Sequence, residues 1–228
     1  MIASNALELP QRVRVKFCGI TCPEDAIAAA ALGVDAIGLV FYATSTRAVD
    51  LEHAQEIAAA LPPFVSKVGL FVNERAARIR EIVHQVPLDL LQFHGDESPE
   101  ECVLFGRPYI KAIAMRGDVD LTQAARQYGA AKGLLVDAYV PGQRGGTGHC
   151  FEWSRAANAI DRPLILAGGL TPYNVADAIR TVRPYGVDVS GGIESAKGAK
   201  DHGKMRLFMK GVFDASFDSG CAQAERER

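Results

Sequence analysis

Short, continuous runs of apolar residues recur along this chain and alternate with longer, alanine-rich stretches whose apolar positions follow a helical spacing. Continuous apolar runs of this length are typical of strands that are buried on both faces of a parallel sheet. The pattern predicts strands at Arg14–Phe17, Ala36–Phe41, Lys67–Val72, Leu88–Phe93, Tyr109–Ala114, Gly133–Val136, Pro163–Ala167 and Gly186–Val189.

The amphipathic stretches between these strands predict helices, and several begin with residues that favour a helix start. Thr21 shortly precedes Pro23 and two acidic residues, while Ser98 and Thr171 each stand directly before a proline. A Ser or Thr cap with proline in the first turn is typical of helix N-termini. The predicted helices are Pro23–Leu32, Leu51–Leu61, Glu74–His84, Pro99–Phe105, Asp118–Tyr128, Trp153–Ala159, Pro172–Val182 and, approximately, Lys204–Val212.

The carboxyl ends of the predicted strands, each taken as the last strand residue or the residue after it, recur at regular intervals: Cys18, Phe41, Val72, Phe93, Ala114, Asp137, Ala167 and Ser190. Successive ends are 23, 31, 21, 21, 23, 30 and 23 residues apart. Units of this length predict an α/β fold that is a single (βα)₈ TIM barrel, with 1–228 as one domain and its core at about 13–213. The polar tail from Asp214 to Arg228 is expected to fray.

An open, doubly wound sheet is the alternative architecture. Such sheets carry a glycine-rich turn after the first strand. In this chain the glycine pairs instead follow the seventh and eighth predicted strands, where phosphate-binding barrels have their anion site. The position of the glycines therefore favours the barrel.

Composition narrows the classes of function. The chain is 48% apolar and 23% charged with a net charge of -2, which gives no sign of a nucleic acid or an anionic membrane as partner. No apolar run reaches the ~18 residues of a membrane-spanning helix, and Met1–Arg14 lacks the apolar segment of a secretory signal. Five cysteines without a Cys-x-x-Cys pair indicate free thiols in a reducing, cytoplasmic setting, with no metal site. Both a monomer and a homodimer remain open.

Two residues at strand ends are candidates for acid–base chemistry, because the C-terminal strand ends of a barrel share one mouth. Cys18 ends the first strand; it is either a buried small hydrophobe or a base whose pKa a nearby cation or helix dipole lowers. Asp137 ends the sixth strand after three large apolar residues, where an acid is costly to bury without a purpose. Its alternative role is to cap a neighbouring loop.

Glycine-rich segments at the same mouth are candidates for a lid and a phosphate site. The loop Pro141–Gly148 holds four glycines and is expected either to close over the site or to be a plain linker. Paired glycines after strands seven and eight let backbone N–H groups approach a phosphate. The predicted phosphate-binding residues are Gly146, Gly168, Gly169, Ser190, Gly191 and Gly192.

Four further residues are predicted to bind substrate. Arg47 follows the second strand and can bind a carboxylate through two parallel hydrogen bonds, although a solvated loop arginine is the alternative. Gln92 and His94 end the fourth strand, and the histidine either donates to substrate or orients another group. Asp188 alternates with apolar residues of the last strand, so its side chain is expected to point inward.

Together these segments resemble the phosphoribosylanthranilate isomerase family of tryptophan biosynthesis, over nearly the whole chain. The resemblance is carried by the segments Lys16–Thr21, Leu91–Gly95, Val136–Asp137, Gly145–Gly148, Leu166–Leu170 and Val187–Ser195. The first segment is highly specific when it is paired with the acid after strand six. The glycine segments alone fit many phosphate-binding barrels.

The resemblance implies an Amadori rearrangement of N-(5-phosphoribosyl)anthranilate that requires no metal or redox cofactor. Cys18 matches the general base that takes the proton from sugar C2, and Asp137 matches the general acid that protonates the ring oxygen. Arg47 matches the arginine near the anthranilate. In two places the chain departs from the family: no proline precedes Arg47, and Gly191 stands where a serine is expected.

Other phosphate-binding barrels and a non-catalytic binder of phosphorylated ligands are the alternatives. The aminoaldose isomerase of histidine biosynthesis is expected to carry Asp in place of Cys18. Indole-glycerol-phosphate synthase requires a catalytic lysine at the mouth, whereas Lys16 lies inside the first strand. The presence of both an acid and a base argues against a binder without activity.

Overall fold

The computed structural model describes residues 12–115, 119–137, 153, 156 and 160–224, with side chains described as far as 215. Within them, eight parallel strands close into a barrel, in which each strand pairs with the next and the eighth pairs with the first. The strands are β1 Arg14–Cys18, β2 Ala36–Val40, β3 Ser66–Phe71, β4 Leu90–Phe93, β5 Tyr109–Ala114, β6 Leu134–Asp137, β7 Leu164–Ala167 and β8 Gly186–Val189. The predicted barrel is confirmed.

Helices pack around the barrel at nearly the predicted places. They are α1 Pro23–Ala31, α2 Leu51–Ala60, α3 Ala76–Gln85, α4 Pro99–Cys102, α5 Leu121–Gln127, α6 Val175–Val182 and α7 His202–Ala224. Apart from Trp153 and Ala156, the predicted helix Trp153–Ala159 lies outside the described residues. The sequence pattern missed an antiparallel hairpin of β9 Glu194–Ala196 and β10 Ala199–Lys200, which follows a 3₁₀ turn at Gly191–Ile193.

The C-terminal helix corrects the expectation of a frayed tail from Asp214. Helix α7 continues to Ala224, and Ala215 is fully buried. Phe208 and Val212, which are also buried, place apolar side chains on the same helical face as Ala215, and this face anchors the helix to the core. None of the helices in the described part of the chain has the length and apolar character needed to cross a membrane.

The helix starts confirm one predicted cap, at Ser98, and correct two others, at Thr21 and at Thr171, since α6 begins at Val175 with Asn174 in the cap position. Ser98 accepts a hydrogen bond from the Glu101 amide, and Glu101 bonds back to Ser98 to complete a capping box. Thr21 does not cap α1, because Cys22 occupies the cap position and Thr21 Oγ1 instead donates to the carbonyl of Gly198 at 2.8 Å. This bond ties the loop after β1 to the β9–β10 hairpin.

The alternation of side chains along the strands separates two apolar regions. Outward-facing residues such as Phe17 pack against the helices; its ring lies 6.0 Å from that of Phe208, centroid to centroid. The inward-facing residues form smaller clusters: Ile110, Ala112, Leu135 and Ala167 in one, and Cys18, Val40 and Leu70 in the other. Since Phe17 points outward, its neighbours Lys16 and Cys18 point into the barrel.

Candidate active site

The carboxyl ends of the strands bring together side chains that lie far apart in sequence. Cys18 is the last residue of β1 and Asp137 the last of β6, while His94 and Ser190 directly follow β4 and β8. His94 reaches Asp137, and Lys200 donates to the carbonyls of both Cys18 and Ser190, at 2.7 and 3.2 Å. The barrel mouth is therefore linked by polar contacts on two sides, one around Asp137 and one around Cys18.

Cys18 lies in a dry and highly charged part of the mouth. It is only 6% exposed and packs beside Val40 and Leu70. Burial raises the pKa of its thiol, and the charge and hydrogen bond of Lys16 oppose this rise without cancelling it. The expectation that a nearby cation lowers this pKa is therefore only half right: the cation is present, but in the ligand-free protein burial outweighs it.

Asp137 ends β6 with about a quarter of its side chain exposed, and a line of polar groups from β4 leads to it. Gln92 Nε2 lies 2.9 Å from His94 Nδ1, and His94 Nε2 lies 3.3 Å from Asp137 Oδ2. With the Gln92 amide donating to Nδ1, the imidazole proton is on Nε2 and faces the carboxylate. Of the two roles weighed for His94, its position matches the orientation of another group.

Arg47 already has a carboxylate partner within the protein. Its Nε and Nη2 atoms donate to the two carboxylate oxygens of Glu194, at 2.6 and 2.7 Å. A guanidinium has five N–H donors, so this pairing leaves three for another ligand. The hydrogen bond to Glu194 raises the pKa of Arg47. The pairing fixes the plane of the guanidinium at the mouth.

Lys200 completes this charged cluster from the β9–β10 hairpin. Its ammonium is fully buried and donates to Glu194 Oε1 at 2.9 Å in addition to the two backbone carbonyls. Burial lowers the pKa of Lys200 despite the nearby carboxylate. Burial also raises the pKa of Glu194, but the hydrogen bonds from Arg47 and Lys200 outweigh it and hold that pKa below its ordinary value.

The glycine segments after β7 and β8 lie against each other. A Cβ atom on Gly192 would come within 1.8 Å of the Leu170 carbonyl oxygen, so only glycine allows this close approach. Asn174 supports the first segment by accepting from the Thr171 amide at 2.7 Å and donating to the Gly169 carbonyl at 3.0 Å. Ser190 Oγ is buried without a hydrogen-bond partner among the described residues.

Two predictions concern the loop after β6, which the structure does not describe. Gly146, predicted to bind phosphate, and the predicted lid Pro141–Gly148 both lie outside the described residues.

The loop before Arg47, which lacks the family's proline, is held by short-range hydrogen bonds instead. The Ser45 amide donates to the Tyr42 carbonyl at 2.9 Å, and Ser45 Oγ accepts from the Arg47 amide at 3.1 Å.

Comparison with known proteins assigns the barrel to a family. A family model described as N-(5'phosphoribosyl)anthranilate (PRA) isomerase matches residues 15–211. The N-(5'-phosphoribosyl)anthranilate isomerase of Nitrosococcus oceani is 58% identical over 201 residues, which cover 88% of this chain and 98% of that protein. The chain belongs to the phosphoribosylanthranilate isomerase family. The resemblance stated from the sequence motifs is thereby confirmed, and so is the assignment to isomerases of tryptophan biosynthesis.

Solved structures of phosphoribosylanthranilate isomerases share the whole barrel. The enzyme from Thermotoga maritima is 41% identical with a TM-score of 0.82, and the match covers 89% of this chain and 99% of that one. A second structure, in complex with reduced 1-(o-carboxyphenylamino)-1-deoxyribulose 5-phosphate, is 39% identical with a TM-score of 0.78 and the same coverage.

Three charged residues of the mouth were missed by reasoning from the sequence. The strand pattern identifies Lys16 only as part of the first strand, although its alternation with Phe17 indicates that it points inward. Glu194 follows the last glycine pair within a segment that carries the family resemblance, but nothing in that segment predicts a role for it. Lys200 had no local signal, because its contacts with Cys18 and Glu194 depend on the hairpin.

Proposed function

We propose that this chain converts N-(5-phosphoribosyl)anthranilate to 1-(2-carboxyphenylamino)-1-deoxyribulose 5-phosphate by an Amadori rearrangement, with Cys18 as general base and Asp137 as general acid. The observation that carries these roles is the position of the two side chains, at the ends of β1 and β6 around one barrel mouth. A thiol and a carboxyl group at different points of a shared mouth can act on different atoms of one sugar.

The reaction begins with opening of the furanose ring. The Asp137 carboxyl group gives its proton to the ring oxygen as the bond between that oxygen and C1 breaks. The lone pair of the anthranilate nitrogen forms the C1=N bond, which gives a protonated Schiff base. Asp137 is then a carboxylate, and His94 Nε2 is placed to donate a hydrogen bond to it. Gln92 supports this arrangement by holding the other ring nitrogen of His94.

Proton transfer from carbon follows ring opening. The cationic Schiff base acidifies the C2–H bond, and the Cys18 thiolate takes this proton. The electron pair of the C–H bond forms a C1=C2 double bond, while the C=N electrons return to nitrogen. The resulting enol loses its hydroxyl proton and gains one at C1, which yields the ketone. Each acid–base step of this kind contributes about 10²–10⁴-fold to the rate.

Substrate binding is proposed to use the two ends of the mouth. Arg47 offers its remaining donors to the anthranilate carboxylate while Glu194 holds it in place. The backbone of Gly168, Gly169, Gly191 and Gly192 binds the phosphate, and the Ser190 hydroxyl, which has no partner among the described residues, lies beside it. Gly146 belongs to the same proposed site. Gly191 retains a backbone donor but lacks the hydroxyl of the expected serine.

The wider cellular setting also remains a proposal. The substrate is a small phosphorylated molecule, and we propose that the enzyme acts in the cytoplasm, as a monomer or a homodimer, without nucleic acid or membrane partners. Sedimentation of the purified chain at several concentrations distinguishes the two oligomeric states. A mass that stays at one chain over the whole range identifies the monomer.

Complementation of a tryptophan auxotroph that lacks this isomerase tests the function in cells. We expect the wild-type gene to restore growth without tryptophan, and the purified protein to consume N-(5-phosphoribosyl)anthranilate. Failure of both, with folded protein present, would reject the proposal. Growth of a histidine auxotroph that lacks the corresponding aminoaldose isomerase, in place of the tryptophan strain, would instead identify the rival reaction.

A further inference from the structure

A second charged pair lies inside the barrel next to Cys18 and takes no part in the reaction as proposed above. The pairing of β1 with β8 sets Lys16 directly opposite Asp188, and Lys16 Nζ lies 2.9 Å from Asp188 Oδ1. Both side chains are only 8% exposed. Burial of two opposite charges is costly unless each has good partners, so a pair at this position requires an explanation.

A glycine on β2, the strand next to β1, leaves space in which the Lys16 ammonium and the Cys18 thiol come close to each other. Cys18 lies opposite Gly38 of β2. A Cβ on Gly38 would lie 2.8 Å from Cys18 Sγ and 3.0 Å from Lys16 Nζ, so both atoms converge on the space above this glycine. The Lys16 ammonium is therefore close enough for its charge to act on the Cys18 sulfur, and it lowers the pKa that burial raises.

Among the residues that the structure describes, the other cations that face Cys18 are occupied elsewhere. Lys200 of β10 donates to two backbone carbonyls and to Glu194, which accounts for all three of its protons. Arg47, from the loop after β2, is held by Glu194. On the remaining side, β2 and β3 contribute the apolar Val40 and Leu70. Of the described cations, Lys16 is therefore the one that is placed to act on the sulfur itself.

We propose that Lys16 is a positioning residue that stabilises the thiolate of Cys18 for proton abstraction, and that Asp188 serves chiefly to hold Lys16 in place. This inference rests on the proposed function. The C2 proton passes to the sulfur, and Lys16 keeps its own three protons throughout. Asp188, which the sequence predicted to bind substrate, instead acts through Lys16 and so lies one contact further from the substrate. The same geometry explains how Cys18 can act as a base although its side chain is buried.

The electrostatics of the cluster agree with this geometry. Burial lowers the pKa of Lys16, but Asp188 and Cys18 outweigh this effect, so the pKa lies above its ordinary value and the ammonium keeps its charge at neutral pH. At Cys18, the lowering effect of Lys16 is larger than the raising effect of Asp188. The pair therefore has a net effect in favour of the thiolate.

The direct test measures thiolate formation in the ligand-free protein across a pH titration. The readout is the difference in ultraviolet thiolate absorbance between each chain and its Cys18→Ser counterpart. Since an opposite charge in contact lowers a pKa by about 1–3 units, we expect Lys16→Met to reduce the Cys18 thiolate fraction at a given pH by about tenfold or more. An unchanged thiolate fraction would overturn the proposal.

The pH dependence of kcat/KM provides the second readout. We expect Lys16→Met to move the acid limb to higher pH, so that a loss of about tenfold or more at neutral pH diminishes as the pH rises. A purely structural role for Lys16 would instead lower kcat/KM by the same factor at every pH. That result, with an unmoved thiolate titration, would also reject the proposal.

Two double variants keep the test decisive. If Lys16→Met cannot fold with Asp188 left unpaired, the Lys16→Met/Asp188→Asn chain removes both charges, and we still expect a smaller thiolate fraction because Lys16 has the larger influence. The matched control is Lys111→Met/Glu97→Gln, which removes another buried pair, 3.3 Å apart, and is expected to leave Cys18 unchanged. One result would separate the two proposals: a Cys18 thiolate titration that shifts in the Lys16 variants while the wild-type protein does not turn over the substrate. That result would refute the proposed function and retain the effect of Lys16 on the thiolate.

Discussion

The two proposed catalytic groups occupy opposite kinds of surroundings. Cys18 is 6% exposed, packed by apolar side chains, and surrounded by charged groups from three parts of the chain. The Asp137 side chain is 26% exposed and is reached by the imidazole of His94. Charges act more strongly where water is excluded, so the base depends on its charged neighbours while the acid depends mainly on hydrogen bonds and solvent. Substitutions around Cys18 and substitutions around Asp137 should therefore differ in the size and the pH dependence of their effects on the rate.

Removal of either proposed catalytic group should have the largest effect on the rate. We expect Cys18→Ser and Asp137→Asn each to lower kcat by about 10²–10⁴-fold, because each variant loses one acid–base step. Steady-state kinetics with N-(5-phosphoribosyl)anthranilate, together with circular dichroism to verify folding, checks this. Cys22→Ser is the matched control, four residues further on in the cap position of α1, and should keep wild-type turnover.

Loss of Arg47 should weaken substrate binding more than turnover. A hydrogen bond to a charged group contributes about 1.5–3 kcal/mol, so Arg47→Ala is expected to raise KM by about tenfold or more with a much smaller change in kcat. The control is Arg78→Ala on α3, where the arginine pairs with Glu81 at the surface. An unchanged KM in Arg47→Ala would remove Arg47 from the proposed binding site.

A single methyl group beside Cys18 should disturb the base without touching the acid. We expect Gly38→Ala to lower kcat by about tenfold and to destabilise the fold by about 1–3 kcal/mol, since the new Cβ would crowd the sulfur and the Lys16 ammonium. Thermal unfolding and kinetics measure both effects. Gly129→Ala is the control, because its Cβ would come no closer than 3.5 Å to the Arg126 carbonyl oxygen.

The smallest effect is expected on the acid side. His94→Ala removes one hydrogen bond from a carboxylate that solvent also reaches, so kcat should fall only about fivefold, as expected for a net loss of about 1 kcal/mol. Kinetics at several pH values check this. A loss as large as that of Asp137→Asn would show that the imidazole itself takes part in proton transfer.

The barrel was predictable because the relevant signals are local. Continuous apolar runs marked all eight strands of the barrel, and the spacing of their ends placed Cys18 and Asp137 at one mouth. The hairpin of Glu194 and Lys200 was not predictable, since its strands are too short to show a period and its contacts join residues far apart in sequence. The direction of the shift in the Cys18 pKa depends on the balance between burial and nearby charges, and this balance can be read only from the packed structure.

The division of labour between Cys18 and Asp137 is tested most directly by the primary kinetic isotope effect of a substrate deuterated at C2. In Cys18→Ser, cleavage of the C–H bond should become limiting, so the isotope effect should be fully expressed. In Asp137→Asn, ring opening should become limiting, and the isotope effect should fall towards unity. A full effect in Asp137→Asn together with none in Cys18→Ser would contradict the assigned roles.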